Sequence, residues 1–283
     1  PGMARLPEQL GPLKLVQQIG TGRHCQIWEA VEEPAGRSVA VKVVVPGMAD
    51  DPALRKLLQH ELQVAKSLDH PTVIRIDRLA EEGGLPHLVM ELFPHPNLKK
   101  QIAGGVEAIA PRLQRIVTEL ALAVDHMHSR GWLHRDIKPD NVLAAPDGQV
   151  KLIDFAIAAK ATGFLGRLLG GKTTAQGSPS YMAPEQIRGA ALDARADIYS
   201  YGCVLFELLA GRPPFTAATA NELLNKQVSS PPPGVDQFNR HATTGGTAFL
   251  RRLLAKRPAD RPASMQEVLQ QLRTVRLLER VGA

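Results

Sequence analysis

The amino-acid sequence predicts an α+β chain in which a small, sheet-rich lobe carrying one helix precedes a larger, mainly helical lobe. Three observations predict this. β-branched runs dominate the chain up to about Glu91, one amphipathic helix interrupts them, and helical periodicity takes over after Pro94-His95-Pro96. At 283 residues the chain has room for one large domain or two small ones.

In chain order, the first clear strand lies around Ile27–Val31. A glycine-containing turn at Glu33-Pro-Ala-Gly-Arg37 folds it back onto Val39-Ala-Val-Lys-Val-Val-Val45, a buried strand by length and composition. The helix follows over Pro52–Leu68, with Leu54, Leu57, Leu58, Leu62, Ala65 and Leu68 in an i, i+3, i+4 stripe. A strand at His87–Glu91 closes the region. Pro111–Arg130 then reads as a helix with Leu113, Ile116, Val117, Leu120, Val124 and Met127 on one face, stopped by Gly131. Ile198–Ala210 is apolar on almost every side, the mark of a buried helix, and ends at Gly211. The last helix opens on Ser264-Met-Gln-Glu267, a capping box. A cleft between the lobes is where a ligand is expected.

Composition narrows the function. Hydrophobic residues make up 44% of the chain, enough to bury a core. The two cysteines, Cys25 and Cys203, fall in no metal or CxxC spacing, which argues for a reducing compartment. No apolar run reaches the roughly 18–20 residues that span a bilayer, and no signal-peptide pattern is visible. A cytoplasmic location without membrane contact is expected for this segment, and an anchor elsewhere in a longer protein is left open. The net charge of +6 raises the question of nucleic acid. With only 4% aromatic residues there is no stacking platform, so a solvated basic face is the better reading.

The chemistry concentrates in a few segments. In Ile19-Gly-Thr-Gly-Arg-His-Cys-Gln-Ile27, Gly20 and Gly22 let backbone N–H groups approach a phosphate, although any tight β-turn uses such glycines. Lys42 stands in an otherwise apolar strand, and a buried ammonium needs an anion unless it reaches water at an edge. Glu61 lies inside the apolar stripe of the helix, so the two are expected to pair and to aim Lys42 at a phosphate. Leu133-His-Arg-Asp-Ile-Lys-Pro-Asp-Asn-Val142 packs Asp136, Lys138 and Asn141 into one loop. A hairpin at Pro146–Gly148 is expected to return Asp154 near Asp136 and Asn141. Converging oxygen donors of this kind suit Mg²⁺, which shares its sphere with substrate phosphates.

His134-Arg-Asp-Ile-Lys-Pro-Asp-Asn141, Asp154-Phe-Ala156, Ala183-Pro-Glu185 and Val39-Ala-Val-Lys42 together resemble the signature set of the eukaryotic-type protein kinases. The match runs in order from Gly20 to Arg261. Gly177-Ser-Pro-Ser-Tyr-Met-Ala-Pro-Glu-Gln186 is similar to the bacterial branch of the Ser/Thr enzymes. The resemblance implies a bilobal kinase fold, with an N-terminal lobe over about 12–92 and a C-terminal lobe over 93–280. It also implies ATP and Mg²⁺ as cofactors and protein substrates carrying serine or threonine acceptors.

By the same resemblance Lys42 holds the α/β-phosphates, Glu61 positions it, and Asp136 acts as catalytic base or orienter of the attacking hydroxyl. Lys138 lies near the transferring phosphoryl group, and Asn141 and Asp154 hold metal. Ile19, Gly20 and Gly22 cover the nucleotide, while Ile27, Ala40 and Leu143 sandwich adenine. Met90 is the gatekeeper, Glu91 and Phe93 offer hinge backbone groups, and Asn97 falls where relatives often carry a ribose-contacting acid. Asp197 would anchor the catalytic loop, Glu185 and Arg261 would form a buried ion pair, and Ser178 would touch the catalytic aspartate and lysine. Lys138 favours serine/threonine over tyrosine acceptors. Thr173 and Thr174 are expected phosphorylation sites, with Arg135 as the cation that engages the phosphate. A homodimer is left open. With Asp140 the one acid beside the neutral Asn97, a strong requirement for upstream arginine is not expected.

Two departures, Cys25 for the third loop glycine and Ala156 in the Asp-Phe-Gly position, set a nucleotide-binding pseudokinase beside the active reading. Each would be strained if its backbone needed φ > 0. A small-molecule phosphotransferase is disfavoured by the Ala183-Pro-Glu185 segment.

Overall fold

The computed structural model describes residues 6–22, 24–161 and 176–279. Thr173 and Thr174 lie outside the described residues. The chain divides into two compact units, residues 1–94 with 154–156, and residues 95–153 with 157–283.

The first unit is built on a six-stranded antiparallel sheet. Its strands are β1 (Gln9–Leu10), β2 (Leu13–Thr21), β3 (Cys25–Glu32), β4 (Arg37–Val44), β5 (Ile76–Glu82) and β6 (Leu85–Glu91), in the order β1-β2-β3-β4-β6-β5. The β3–β4 turn contains Gly36 at φ 66°, a left-handed conformation that glycine adopts without a Cβ penalty. The pleat of β4 separates two functions. Val39, Val41 and Val43 face a core made with Leu10, Leu13, Ala30, Leu85 and Val89. Ala40 and Lys42 alternate with them and so face the other side, in register with Met90, Leu88 and Ile27.

Helix α1 (Pro52–Lys66) starts where Asp51 accepts from the Ala53 N–H, with Pro52 in the first turn. Its buried face is Leu54, Leu58, Glu61, Val64 and Ala65. The sequence stripe is therefore rotated slightly: Leu57 is 40% exposed, and Val64 takes an inward position.

The second unit is mainly helical. It contains α2 (Leu98–Ala103), α3 (Leu113–Ser129), α4 (Pro184–Ile187), α5 (Ala194–Ala210), α6 (Ala220–Ser229), α7 (Thr244–Leu253) and α8 (Met265–Leu272). Two small two-stranded sheets accompany them: β7 (Trp132–Leu133) with β10 (Ala159–Lys160), and β8 (Val142–Ala144) with β9 (Val150–Leu152). Every residue of α5 from Ala196 to Leu209 is buried, as its all-round apolar sequence predicts. It packs on α3 and α7, and Gly211 at φ 72° ends it. The predicted Pro111–Arg130 helix begins at Leu113, because a 3₁₀ turn over Ala110–Arg112 takes its first residues. At α8 Ser264 accepts from the Glu267 N–H, but the Glu267 carboxylate accepts from Ala263 instead of closing the box on Ser264.

Candidate active site

In the first unit the Lys42 ammonium donates to Glu61 Oε2 at 2.7 Å and to Asp154 Oδ1 at 3.2 Å. Glu61 is only 2% exposed, so the pair predicted from a lysine in an apolar strand and an acid in an apolar stripe is present and desolvated. Burial works against the ammonium, yet the Glu61 and Asp154 carboxylates outweigh it and hold the Lys42 pKa above its usual range. Burial lifts the Glu61 carboxyl above its ordinary value, with Lys42 pulling against it. The three charges line a cavity of about 250 Å³ whose other walls include Gly22, Cys25, Leu58 and Ala156.

At Gly20 a Cβ would press on Ile27 at 3.3 Å, a contact that β3 tolerates only by shifting its side chain. The Gly22 N–H donates to the Cys25 carbonyl at 2.8 Å, closing the turn. Ala40 and Met90 are buried opposite each other on neighbouring strands. The Glu91 N–H donates to the Arg75 carbonyl at 3.0 Å, and the Glu91 carboxylate accepts from the Arg75 N–H. Whatever Glu91 offers a ligand from its backbone is thus its carbonyl oxygen. Asp154 has φ 68°, in the left-handed region that a non-glycine residue occupies at a cost of about 1–3 kcal/mol. Cys25 and Ala156 are not in that region. Among described non-glycine residues Arg135 and Asp154 alone are, so neither departure from the family pattern strains the backbone.

In the second unit the loop 134–141 is fixed from beneath by Asp197, whose side chain is fully buried in α5. Its carboxylate accepts from His128 Nε2 at 2.8 Å, the His134 N–H at 2.8 Å and the Arg135 N–H at 2.9 Å. Burial tends to raise the Asp197 pKa, but these donors more than offset it and hold it below the ordinary value. They also hold Arg135 at φ 69°. The Asp136 N–H donates to His134 Nδ1 at 3.3 Å, so the proton of that ring is on Nε2, which faces the Ile153 carbonyl at 3.1 Å.

Asp136 is then braced on both oxygens. Oδ1 accepts from the Ser178 N–H at 2.9 Å, and Oδ2 accepts from Lys138 Nζ at 2.7 Å and from Asn141 Nδ2 at 3.3 Å. Lys138 also donates to Ser178 Oγ at 2.9 Å, as the resemblance implies for that serine. Gln186, which sequence reasoning passed over, ties the Ser178 segment to the loop by donating to the carbonyls of Arg135 at 2.8 Å and of Gln176. Gly177 has φ 126°, and a Cβ there would meet the Arg135 carbonyl at 2.9 Å, so this position requires glycine. Glu185 and Arg261 form the expected buried bidentate pair, at 2.7 and 2.9 Å.

Asn97 is the N-cap of α2, accepting from the Lys100 N–H at 2.9 Å and donating to the Asp140 carbonyl at 3.3 Å. The amide thus has a structural duty that its place in the sequence did not reveal. It also pairs across a β-bridge with Leu143. Among the described residues no group of three or more His, Cys, Asp or Glu side chains is arranged to hold a metal ion, and no helix is long and apolar enough to cross a membrane.

Residues 13–272 match the protein kinase domain, and the chain belongs to that family. It is 32% identical over 264 residues to a probable serine/threonine-protein kinase, SCO3848 of Streptomyces coelicolor, covering 92% of this chain and 38% of that protein. It is 33% identical over 261 residues to the serine/threonine-protein kinase PknH of Mycobacterium tuberculosis, covering 92% of this chain and 41% of PknH. With PrkC of Bacillus subtilis, also a serine/threonine-protein kinase, identity is 30% over 264 residues, or 93% and 40% of the two chains. The chain spans about two fifths of the length of these relatives.

Proposed function

We propose that this chain transfers the γ-phosphate of ATP to serine and threonine hydroxyls of proteins. The observation that carries the reading is the bracing of Asp136. A carboxylate held at both oxygens by Ser178, Lys138 and Asn141, on a loop itself pinned by Asp197, is pre-organised to orient an acceptor hydroxyl and take up its proton. Lys138, two residues on, places a positive charge where the transferring phosphoryl group gathers negative charge.

Lys42 is the phosphate contact we assign in the first unit. Glu61 keeps it extended and charged. Gly20 and Gly22 present backbone to the phosphates, Ile19, Ile27, Ala40 and Leu143 supply apolar surface for adenine, and Met90, Glu91 and Phe93 border it. Asn97 adds a polar edge near the ribose. Asp154 and Asn141 supply oxygen donors of the kind Mg²⁺ takes. Bound there, the ion would offset the charge of the phosphates. Thr173 and Thr174 are the acceptors we assign to autophosphorylation.

The test is transfer of radiolabel from [γ-³²P]ATP to a mixed protein substrate. Transfer by the unaltered chain that disappears in Asp136→Asn supports the reading, and an unaltered chain that binds ATP but labels nothing overturns it. Mass spectrometry after incubation with Mg·ATP should find phosphate on Thr173 or Thr174.

A further inference from the structure

Glu207 is a charged residue that the proposed mechanism does not use. It lies in α5 among apolar neighbours and is 1% exposed. A carboxylate so placed needs compensation on both oxygens. Tyr181 donates its hydroxyl to Oε2 at 2.6 Å, and Lys99, from α2, donates its ammonium to Oε1 at 2.6 Å. The Lys99 side chain itself remains 46% exposed. One side chain therefore neutralises a buried acid through its ammonium while remaining partly in solvent.

Two routes tie this ammonium to the reactive carboxylate. Through one, the Tyr181 N–H donates to the Ser178 carbonyl, and the Ser178 N–H donates to Asp136. Through the other, Asn97, two residues before Lys99, donates to the Asp140 carbonyl in the loop that carries Asp136. These links put Lys99 and Asp136 in one hydrogen-bonded network of the second unit. A peptide whose hydroxyl sits at Asp136 would meet this network with the residues that flank the acceptor. Lys100 adjoins it, and Asp140 is the neighbouring exposed acid.

Resting on the transferase reading, we propose that Lys99 is a specificity-determining residue: anchored on Glu207, it selects acceptor peptides with acidic residues near the hydroxyl and rejects basic ones. An ammonium already ordered by a buried partner loses little freedom when a peptide carboxylate docks on its exposed side. If Lys99 were absent, the same surface would show a peptide the Glu207 carboxylate, and the preference would turn toward cations.

The experiment compares two serine peptides, one flanked by aspartates and one by lysines. Binding is read by fluorescence polarisation with a non-hydrolysable ATP analogue and Mg²⁺, and transfer is read with ATP. The unaltered chain should favour the acidic peptide by roughly three- to fivefold, the scale of a partly screened ion pair. Lys99→Met should abolish or invert that ratio, and Lys99→Arg should retain it. Lys99→Met/Glu207→Gln should abolish the ratio without leaving a buried charge, so a folding defect of the single variant does not decide the matter. A merely structural tie would weaken both peptides alike and keep the ratio. An unchanged ratio in Lys99→Met and in the double variant overturns the inference, as does a wild-type preference for the lysine peptide. Charge-dependent binding without any transfer sinks the transferase reading and leaves this one standing.

Discussion

Asp197→Asn removes the charge that pins the catalytic loop and leaves almost the same shape. The carboxylate accepts three hydrogen bonds within 2.9 Å, from His128, His134 and Arg135, and is fully buried. An asparagine has one oxygen for these three donors, and its amide must point N–H groups at another N–H. Hydrogen bonds to a charged group contribute about 1.5–3 kcal/mol each, and a stranded buried donor costs about 1–3 kcal/mol, so a loss of roughly 2–4 kcal/mol is expected. For a chain of this size that lowers Tm by the order of 10 °C.

Catalysis should suffer as well, because Arg135 is held at φ 69° by one of those bonds and Asp136 follows it directly. Relaxation of Arg135 would move Asp136 away from Ser178 and Lys138, and kcat should fall by at least about tenfold, or 1.4 kcal/mol. The pH dependence has a definite sign. Asp197 is held below its ordinary pKa in the folded state, so its contribution is complete above about pH 4, the unfolded value, and is lost as pH falls through the lower folded value. The stability gap between wild type and variant should therefore be constant from about pH 5 to 8 and narrow only below about pH 4. Thermal melts across pH with steady-state transfer assays provide the measurement. A variant melting within about 2 °C of wild type and turning over normally would refute the anchoring argument.

Two further outcomes are expected. Lys42→Met should stop transfer and, by leaving Glu61 buried without its cation, cost about 3–5 kcal/mol at neutral pH. Because burial already raises Glu61 and only the Phe155 backbone N–H would then pull against it, that cost should shrink as pH falls and Glu61 takes up a proton, which urea titrations at two pH values would show. Gly177→Ala should lower both stability and transfer, since its Cβ meets the Arg135 carbonyl at 2.9 Å at φ 126°. Gly36→Ala is the control, with φ 66° and nothing within 4 Å, and should cost only about 1 kcal/mol.

What could be read from the sequence follows the range of the physics involved. The valines of β4 and the all-round apolar α5 announced themselves because burial is written into local pattern. The Lys42–Glu61 pair was also legible, since each residue violates its own element's pattern and the violations have opposite sign. Glu207 violates the pattern of α5 in the same way, yet its cation is 108 positions away, in the exposed first turn of α2. A lysine on a helix surface breaks no local rule, so nothing in the sequence marked it as the partner. Asn97 was read for what a ligand would want of it, whereas its first duty is to the N–H groups of the helix it begins.

The glycines show the same limit from the backbone side. The family pattern has glycine at the positions of Cys25 and Ala156, and strain was the reason to doubt them. Cys25 lies in β3, in register with Val44, a conformation any residue adopts, and Ala156 likewise avoids the left-handed region. In the motif segments the positive φ falls on Arg135, on Asp154 one residue before Phe155, and on Gly177. At Asp154 the chain bears the cost with a carboxylate, because that oxygen is what meets Lys42. At Gly177 a carbonyl stands where a Cβ would be, and no side chain could be accommodated. Whether a glycine can be exchanged is thus decided by its own φ and by the atom facing it, and at Cys25 and Ala156 the φ raises no objection.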